Sequence, residues 1–299
     1  MWQHISQSFH SLLLWNLVVV IILMVINWSI EAVKWQLSIK KLQQVNFLKA
    51  FKAVLSGVSF SVSTPNRVGE YLGRILYMNE GNRLKTISLT IVCNMSQLII
   101  TLCVGAIGLI ILLPQIETDH VMSSIWIRVI LYGVVVTLII LTLFYFRLPW
   151  LVKWIDRLPG SSRYAWLIKA LEDFNATLLL QLLSLSALRF LVFIVQYYLL
   201  FRLFDVPVSW WQAFWTISVS FLVLAIIPTI AIIELFQRRM IVKTLVGFYS
   251  TNELGITLTT AGIWFINLIV PAIIGSLLIL SIKKIFVTNT EINDNPDLV

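Results

Sequence analysis

Three ionisable residues follow Pro65 at spacings that place them on one side of a helix. Arg67, Glu70 and Arg74 are separated by three and then four positions, and residues with these spacings share a helix face. Glu70 and Arg74 can pair as i and i+4 neighbours, which leaves a net positive charge on that face. Such a face is suited to binding an anion such as a phosphate group.

A second set of residues, Glu234 and Arg238, repeats this pairing after Pro228. Each set is preceded by the tripeptide Val-Ser-Phe, at 58–60 and at 219–221. In both places an apolar half-helix ends near a proline, and the next helix carries Glu-x-x-x-Arg. The spacings differ by one or two residues between the two sets. The pattern therefore predicts an internal repeat with a loosely kept motif.

Further polar side chains interrupt two long apolar runs. Arg189 lies near the middle of the run 176–204, where an ionised side chain costs roughly 2.5–3.5 kcal/mol on insertion scales. The run 86–113 carries a stripe of polar residues at helical spacing: Thr90, Asn94, Gln97 and Thr101. This stripe either lines a hydrophilic groove or forms hydrogen bonds between helices. The Glu-Arg pairs are likewise either part of a site or purely structural, and Arg74 is also close enough to the interface to reach it.

Composition places these residues in a membrane. Apolar residues make up 59% of the 299 residues and charged residues 12%, whereas a soluble domain is about 25% charged. The two cysteines and three histidines form no disulfide or metal-binding pattern. No glycine-rich phosphate loop or catalytic triad is recognisable. We expect an all-α polytopic membrane protein without a cofactor, whose net charge of +8 reflects loops facing anionic lipid and not nucleic acid.

Five apolar runs are long enough to cross a bilayer, which takes about 20 residues: 12–30, 86–113, 123–146, 176–204 and 257–282. The stretch from Glu31 to Lys52 is amphipathic and basic, which predicts a helix at the membrane interface. Two shorter apolar segments, 53–64 and 210–227, end near prolines, and a charged helix follows each one. We expect each segment and its charged helix to form a re-entrant or broken hairpin.

The distribution of basic residues predicts the orientation. Loops 31–52 and 147–169 carry five lysines or arginines each, and loop 114–122 carries none. Basic loops face the cytoplasm, which places the N-terminus outside and the C-terminus inside. The hairpins at 53–85 and 210–249 then enter from opposite sides.

This arrangement is an inverted-topology repeat. We expect one transmembrane domain over 1–286, with repeat one at about 12–113, a linker span at 123–146 and repeat two at about 176–282. The tail at 287–299 is expected to be disordered.

The run from Ser63 to Arg74 resembles the P-x-R-x-G-E-x-x-x-R signature of the lysylphosphatidylglycerol synthase transmembrane (flippase-like) family. That family includes the membrane half of the multiple peptide resistance factor, which moves aminoacylated phosphatidylglycerol to the outer leaflet. Stand-alone members and members fused to glycosyltransferases also exist. The second motif departs from the family, because glycines are missing between Pro228 and Glu234. No segment corresponds to the family's synthase domain, so aminoacyl transfer is not expected of this chain.

The resemblance and the residues together predict a flippase in the cell membrane. It would move an anionic lipid, of phospholipid or polyprenyl-phosphate type, between leaflets without enzymatic chemistry. The positive ends of half-helices near Asn66 and Thr229 would help to hold the headgroup. The candidate headgroup-binding residues are Asn66, Arg67, Glu70, Arg74, Asn94, Gln97, Arg189, Glu234 and Arg238.

Other functions fit the same sequence. The alternative is a membrane scaffold or accessory subunit for a glycosyltransferase or lipid-modifying enzyme. A small-solute secondary transporter and an intramembrane lipid transferase are further readings. The expected partners are membrane lipids with anionic headgroups, and one such enzyme is a possible protein partner.

The charge asymmetry gives a test of topology. With Cys93 and Cys103 replaced by serine, a cysteine at Thr118 should react with a membrane-impermeant maleimide added from outside intact cells. A cysteine at Ser161, in the basic loop, should react only after the membrane is opened. Labelling of the Thr118 position from the cytoplasmic side alone would contradict the orientation.

Overall fold

The computed structural model describes residues 12–119, 123–148, 171, 174–227 and 230–281. Throughout these ranges the regular structure is helical, without strands. The helices are α1 Leu12–Ile39, α2 Phe47–Ser61, α3 Gly69–Ile75, α4 Arg83–Thr118, α5 Ser124–Phe146, α6 Ala176–Leu203, α7 Trp210–Ile226, α8 Ala231–Val246 and α9 Glu253–Trp264. A π-helical turn, Phe265–Ile269, continues α9 into one long helix that ends at Ser281.

Five of these segments are long and apolar enough to cross a membrane: Trp15–Ile39, Glu80–Thr118, Ser124–Phe146, Ala176–Leu203 and Glu253–Ser281. They coincide with the five runs predicted from the sequence. Their outward faces carry large aliphatic and aromatic side chains, such as Ile22, Ile139 and Leu277, which are about half exposed. A surface of this kind is stable in hydrocarbon and not in water. The all-α polytopic prediction is therefore confirmed.

The predicted interfacial helix at 31–52 is wrong in its first half. Residues 31–39 continue α1, and Glu31, Lys34 and Trp35 are buried in the interior. The charges did not stop the helix because they find partners on other helices, described below. In a similar way α4 continues through Pro114 to Thr118, so the loop predicted from Pro114 begins later. The predicted tail at 287–299 lies outside the described residues.

Helices α2 and α3 pack against each other in an antiparallel pair with unusually close backbones. A Cβ atom on Gly73 would overlap the backbone of Gly57, and one on Gly69 would overlap the carbonyl of Phe60. Glycine is needed at these positions because any side chain would push the two helices apart.

The α2–α3 pair begins and ends at the same end of the molecule. The backbone N–H of Asn79, after α3, donates to Gln43 Oε1, before α2, at 3.1 Å. Asn82 Nδ2 donates to the Leu42 carbonyl at 3.3 Å. Helix α2 has 15 residues, about 22 Å at 1.5 Å per residue, and this is shorter than the roughly 30 Å of a bilayer core.

Helices α7 and α8 form a second pair, held at the opposite end of α4. Asn252 Nδ2, after α8, donates to the carbonyls of Phe204 and Asp205, before α7, both at 3.0 Å. Helix α7 runs antiparallel to α4, since a Cβ on Gly105 would contact Leu222 and one on Gly108 would contact Val219. The start of α7 therefore lies near the C-terminal end of α4, while the α2–α3 pair adjoins the N-terminal end.

Helix α9 packs against both pairs. Trp264 Nε1 donates to the Ala231 carbonyl at the start of α8, at 3.0 Å. Eleven residues further along the same long helix, about three turns, a Cβ on Gly275 would overlap the Leu55 carbonyl in α2. The π-helical turn lies between these two contacts, and insertions of this kind are frequent at functional sites.

The glycine contacts predict a clear difference between two matched substitutions. Gly73→Ala should destabilise the protein by about 1–3 kcal/mol, the usual cost of overpacking, because the added methyl meets backbone atoms and not a flexible side chain. Gly133→Ala, on α5 with nothing within 4 Å of the new Cβ, should be neutral or slightly stabilising. Thermal unfolding in detergent, followed by tryptophan fluorescence, measures both. Equal midpoints for the two variants would contradict the close packing.

Candidate functional site

A single buried carboxylate, Glu31 on α1, contacts three cations from three different helices. Its Oε2 accepts from Lys34 Nζ at 3.0 Å and from Arg189 Nη1 at 2.8 Å, and its Oε1 accepts from Arg74 Nη2 at 2.9 Å. Glu31, Lys34 and Arg74 are all at most 1% exposed. These four residues, Glu31, Lys34, Arg74 and Arg189, form a cluster with Glu70, whose carboxylate lies 3.4 Å from Arg74. We call it the Glu31 cluster.

Neutral groups complete the Glu31 cluster. Lys34 Nζ also donates to Ser186 Oγ on α6 at 3.2 Å. Arg189 Nε donates to Asn27 Oδ1 at 2.6 Å, and its guanidinium lies over the ring of Trp28, 5.0 Å from the centroid. A buried charge is costly unless it is paired and hydrogen-bonded, and this network supplies both kinds of contact.

A second carboxylate, Glu234 on α8, also binds more than one arginine. Both carboxylate oxygens accept from Arg67 Nη2, Oε1 at 3.0 Å and Oε2 at 3.1 Å. It also pairs with Arg238, one turn further along α8. Arg238 Nη1 in turn donates to the Tyr197 hydroxyl at 2.8 Å, and its guanidinium faces the ring of Phe221. These residues form the Glu234 cluster.

Arg67 joins the two helix pairs, because it belongs to the turn between α2 and α3 while Glu234 belongs to α8. Its backbone has φ of 57°, a left-handed conformation that is uncommon outside glycine. Residues held in such conformations concentrate at functional sites. The Arg67 side chain is 42% exposed, so it is the most accessible cation of the two clusters.

Arg67, Arg189, Arg238 and Glu234 line one cavity of about 570 Å³. The rest of its wall is mostly apolar and comes from α6, α7 and the long helix that begins with α9, with Trp28 of α1 and the polar residues Gln97 and Thr101 of α4. Three arginines and one glutamate leave a formal charge of +2 at this wall. The two clusters together also carry a formal charge of +2, because five cations face three carboxylates. The cations are Lys34, Arg67, Arg74, Arg189 and Arg238, and the carboxylates are Glu31, Glu70 and Glu234.

Several polar atoms of the residues that line this cavity have no hydrogen-bond partner among the described residues. They are Trp28 Nε1, Gln97 Oε1 and Asn267 Oδ1. Trp28 and Asn267 are more than nine-tenths buried, and Asn267 belongs to the π-helical turn. Buried polar groups normally find partners, so these three enclosed atoms are unusual features of the residues that line the cavity.

The structure separates the predicted site residues into two groups. Arg67, Gln97, Arg189, Glu234 and Arg238 line the cavity. Glu70, Arg74 and Asn94 do not: Arg74 is enclosed in the Glu31 cluster, and Asn94 Nδ2 donates to the Tyr71 hydroxyl at 3.3 Å. The Asn66 side chain and residues 228–229, including Thr229, lie outside what the structure describes.

Sequence reasoning missed Glu31 and Lys34 because it placed them in an interfacial helix. A signal was present, since Asn27, Glu31 and Lys34 follow the same i, i+4, i+7 spacing that marks one helix face. The sequence analysis also paired Arg74 with Glu70, whereas in the structure the shorter contact of Arg74 is with Glu31. In the ranges that the structure describes, no three His, Cys, Asp or Glu side chains come together to hold a metal ion.

The Glu31 cluster predicts an order of stabilities. Glu31→Gln removes the carboxylate that three cations share, of which Lys34 and Arg74 are fully buried, and should cost about 3–5 kcal/mol, as for other broken buried pairs. Lys34→Met should cost less, because Glu31 keeps two arginines. Glu80→Gln, at an 89% exposed side chain, should stay within about 0.5 kcal/mol of the parent. Unfolding midpoints in detergent measure all three, and a Glu31→Gln protein as stable as Glu80→Gln would refute the role of this carboxylate.

Comparison with known proteins adds a family assignment to this geometry. No curated protein and no solved structure matches the chain. A family profile does match, over residues 2–275, and its description is the lysylphosphatidylglycerol synthase TM region. This match covers all of the described helices except the end of the last one, and it confirms the resemblance drawn from the motif at 63–74. The chain is an integral membrane protein that belongs to the lysylphosphatidylglycerol synthase transmembrane family.

Proposed function

We propose that this protein is a lipid translocase, which moves a phosphate-bearing anionic lipid between the two leaflets. The observation that carries the proposal is the cavity where Arg67, Arg189 and Arg238 share one wall with a single carboxylate, Glu234. The family to which the protein belongs points to a lipid-related membrane function. The substrate class, the direction and the absence of enzymatic chemistry are part of the proposal.

The chemistry of the cavity fits a lipid headgroup and the first part of its chains. Guanidinium groups form paired, charge-assisted hydrogen bonds with phosphate oxygens. A headgroup phosphate would therefore neutralise part of the +2 charge. The same wall carries apolar side chains such as Phe193, Leu224 and Leu268, which suit the glycerol and the upper methylene groups.

A lipid must reach the cavity from within the bilayer, and the wall is accessible on one side. Ile226 and Ile227, at the end of α7, line the cavity and are 51% and 41% exposed. Arg67 is similarly accessible at its rim. A headgroup can thus enter sideways over α7 while its chains remain in an apolar environment.

We infer that each helix pair is a re-entrant hairpin and that the two are related by an inverted repeat. The α2–α3 and α7–α8 pairs return to opposite ends of α4, and their inner ends meet at the ion pair between Arg67 and Glu234. In transporters of this kind the binding site lies near the bilayer midplane, between the repeats. Opening towards one leaflet and then the other follows from rocking one repeat against the other.

The Arg67–Glu234 ion pair supplies a means of coupling binding to movement. A phosphate that binds Arg67 and Arg238 competes with Glu234 for both arginines. The two hairpins are then held together through the lipid and not through their own contact. Because the substrate alters the contact between two rigid bodies, its binding can favour one arrangement over the other.

The membrane potential can drive the movement. With basic loops in the cytoplasm of a cell-membrane protein, an anionic lipid moving outward gains about 2.3 kcal/mol per charge for each 100 mV. The Glu31 cluster has a different task in this scheme, since its charges other than Arg189 do not line the cavity. It fixes α1, α3 and α6 to one another, so that Arg189 is presented to the cavity in one orientation.

Transport in liposomes tests the proposal. Purified protein in vesicles with fluorescent phosphatidylglycerol should make inner-leaflet lipid accessible to an external quencher such as dithionite. Arg238→Gln and Arg189→Gln should each lower the initial rate by about 10- to 100-fold, because a hydrogen bond to a charged group contributes roughly 1.5–3 kcal/mol. Arg74→Gln should instead act mainly on stability.

The chain provides matched controls on the same helices. Arg239 neighbours Arg238 on α8, Arg202 follows Arg189 on α6, and both are exposed. Arg239→Gln and Arg202→Gln should keep the parent rate. If the two cavity variants transport as fast as these controls, the proposal fails and a scaffold for a lipid-modifying enzyme becomes the better reading.

A further inference from the structure

A second cavity, of about 310 Å³, lies between α4, α5, α7 and α8. Apolar side chains form its wall: Leu109, Ile116, Ile127, Ile130, Val219, Leu222, Val223, Ile226, Met240, Ile241 and Leu245. The one polar member, Thr244, donates its hydroxyl to the Met240 carbonyl within its own helix at 3.0 Å. We call this cavity the apolar groove, and its described lining residues offer no free polar group to a ligand.

The apolar groove and the arginine-lined cavity meet at the end of α7. Ile226 lines both of them. On α8 the two are also adjacent, because Arg238 faces the first cavity while Met240 and Ile241 face the second. A molecule bound by its phosphate at Arg238 can thus continue over Ile226 into the groove.

The depth and the rim of the groove match a flexible hydrocarbon chain. Its floor is rigid and closed, with Val219, Leu222 and Ile127 at most 2% exposed. Its rim is open, with Ile226 at 51% and Met240 at 71% exposed. From Ile226 to Val219 the groove follows seven residues of α7, or about 10 Å of helix.

We propose that the apolar groove holds one hydrocarbon chain of the same lipid whose phosphate binds in the arginine-lined cavity. The inference rests on the proposed translocase function and adds a chain-binding subsite to it. The substrate is then recognised by the protein at both its charged and its apolar part. The hydrocarbon chain lies towards the end of the molecule where α4 ends and α5 begins, since Ile116 and Ile127 form the far part of the groove.

The apolar groove is continuous with the arginine-lined cavity, and its apolar wall is complementary to a hydrocarbon chain. A hydrocarbon chain attached to a phosphate at Arg238 needs an apolar path that begins at the wall of the arginine-lined cavity, and Ile226, which lines both cavities, provides it. A lipid of the surrounding bilayer would have no reason to keep its chain in register with the arginines. Binding of the chain should therefore depend on the headgroup site.

Photo-crosslinking tests this dependence. The probe is phosphatidylglycerol with a diazirine at the end of one acyl chain, placed in phosphatidylcholine vesicles with the full-length protein. Adducts located by mass spectrometry should concentrate on the α4, α5, α7 and α8 segments of the groove. Ile130→Trp, at the rim, should lower groove adducts by about tenfold, which corresponds to losing the burial of about two methylene groups.

Three further variants make the outcome decisive. Val223→Trp fills the groove from α7 and should act like Ile130→Trp, which keeps the test valid if one variant does not fold. Ile139→Trp, on the exposed face of α5, should leave groove adducts unchanged. Arg238→Gln should lower them as well, because the headgroup is no longer held.

The results separate the two proposals. The chain subsite is overturned if adducts spread evenly over the lipid-facing surface. It is also overturned if the number of groove adducts is unchanged in both groove-filling variants, or unchanged in Arg238→Gln. When Arg238→Gln nevertheless lowers transport, the translocase itself stands. If Arg238→Gln leaves transport unchanged, the translocase proposal fails and the chain subsite fails with it.

Discussion

The carboxylate of Glu31 holds together parts of the chain that are far apart in sequence. It binds Lys34 on its own helix, Arg74 from α3 and Arg189 from α6. In an apolar interior each of these charges would be costly alone, and removing one member leaves others unpaired. The positions of α1, α3 and α6 are therefore coupled through a single side chain. The backbone of α3 is further fixed by its glycine contacts with α2, so the first helix pair is attached to α1 and α6 as one unit.

The second cluster has the same kind of charges in a different setting. Glu234 also binds two arginines, but Arg67 is partly exposed and the group faces a cavity. An enclosed ion-pair network contributes rigidity, whereas an accessible one can exchange a partner for a ligand. This difference in burial is why we assign a positioning role to Arg74 and a binding role to Arg238. Under the proposed function, chemically similar residues at equivalent places in the two motifs thus have unequal roles.

Much of the helical framework could be predicted because it depends on local properties. Apolar runs of span length gave all five long helices, and α5 and α6 were bounded to within a residue or two. The boundary of α1 could not be obtained in this way. Charges at Glu31 and Lys34 normally end a span, and only their partners on α3 and α6 make burial of this segment favourable.

The sequence by itself determined which residues can share a face and that the chain lies in a membrane. Helical spacing placed Arg67, Glu70 and Arg74 together, and the motif around them identified the family. The tertiary structure decided which charges meet. The contact between Arg67 and Glu234 joins residues 167 positions apart, and the contact between Arg189 and Glu31 joins residues 158 apart. Helical periodicity fixes the direction of a side chain relative to its own axis, but a partner is chosen by how whole helices pack, and this depends on the complete set of apolar and glycine contacts.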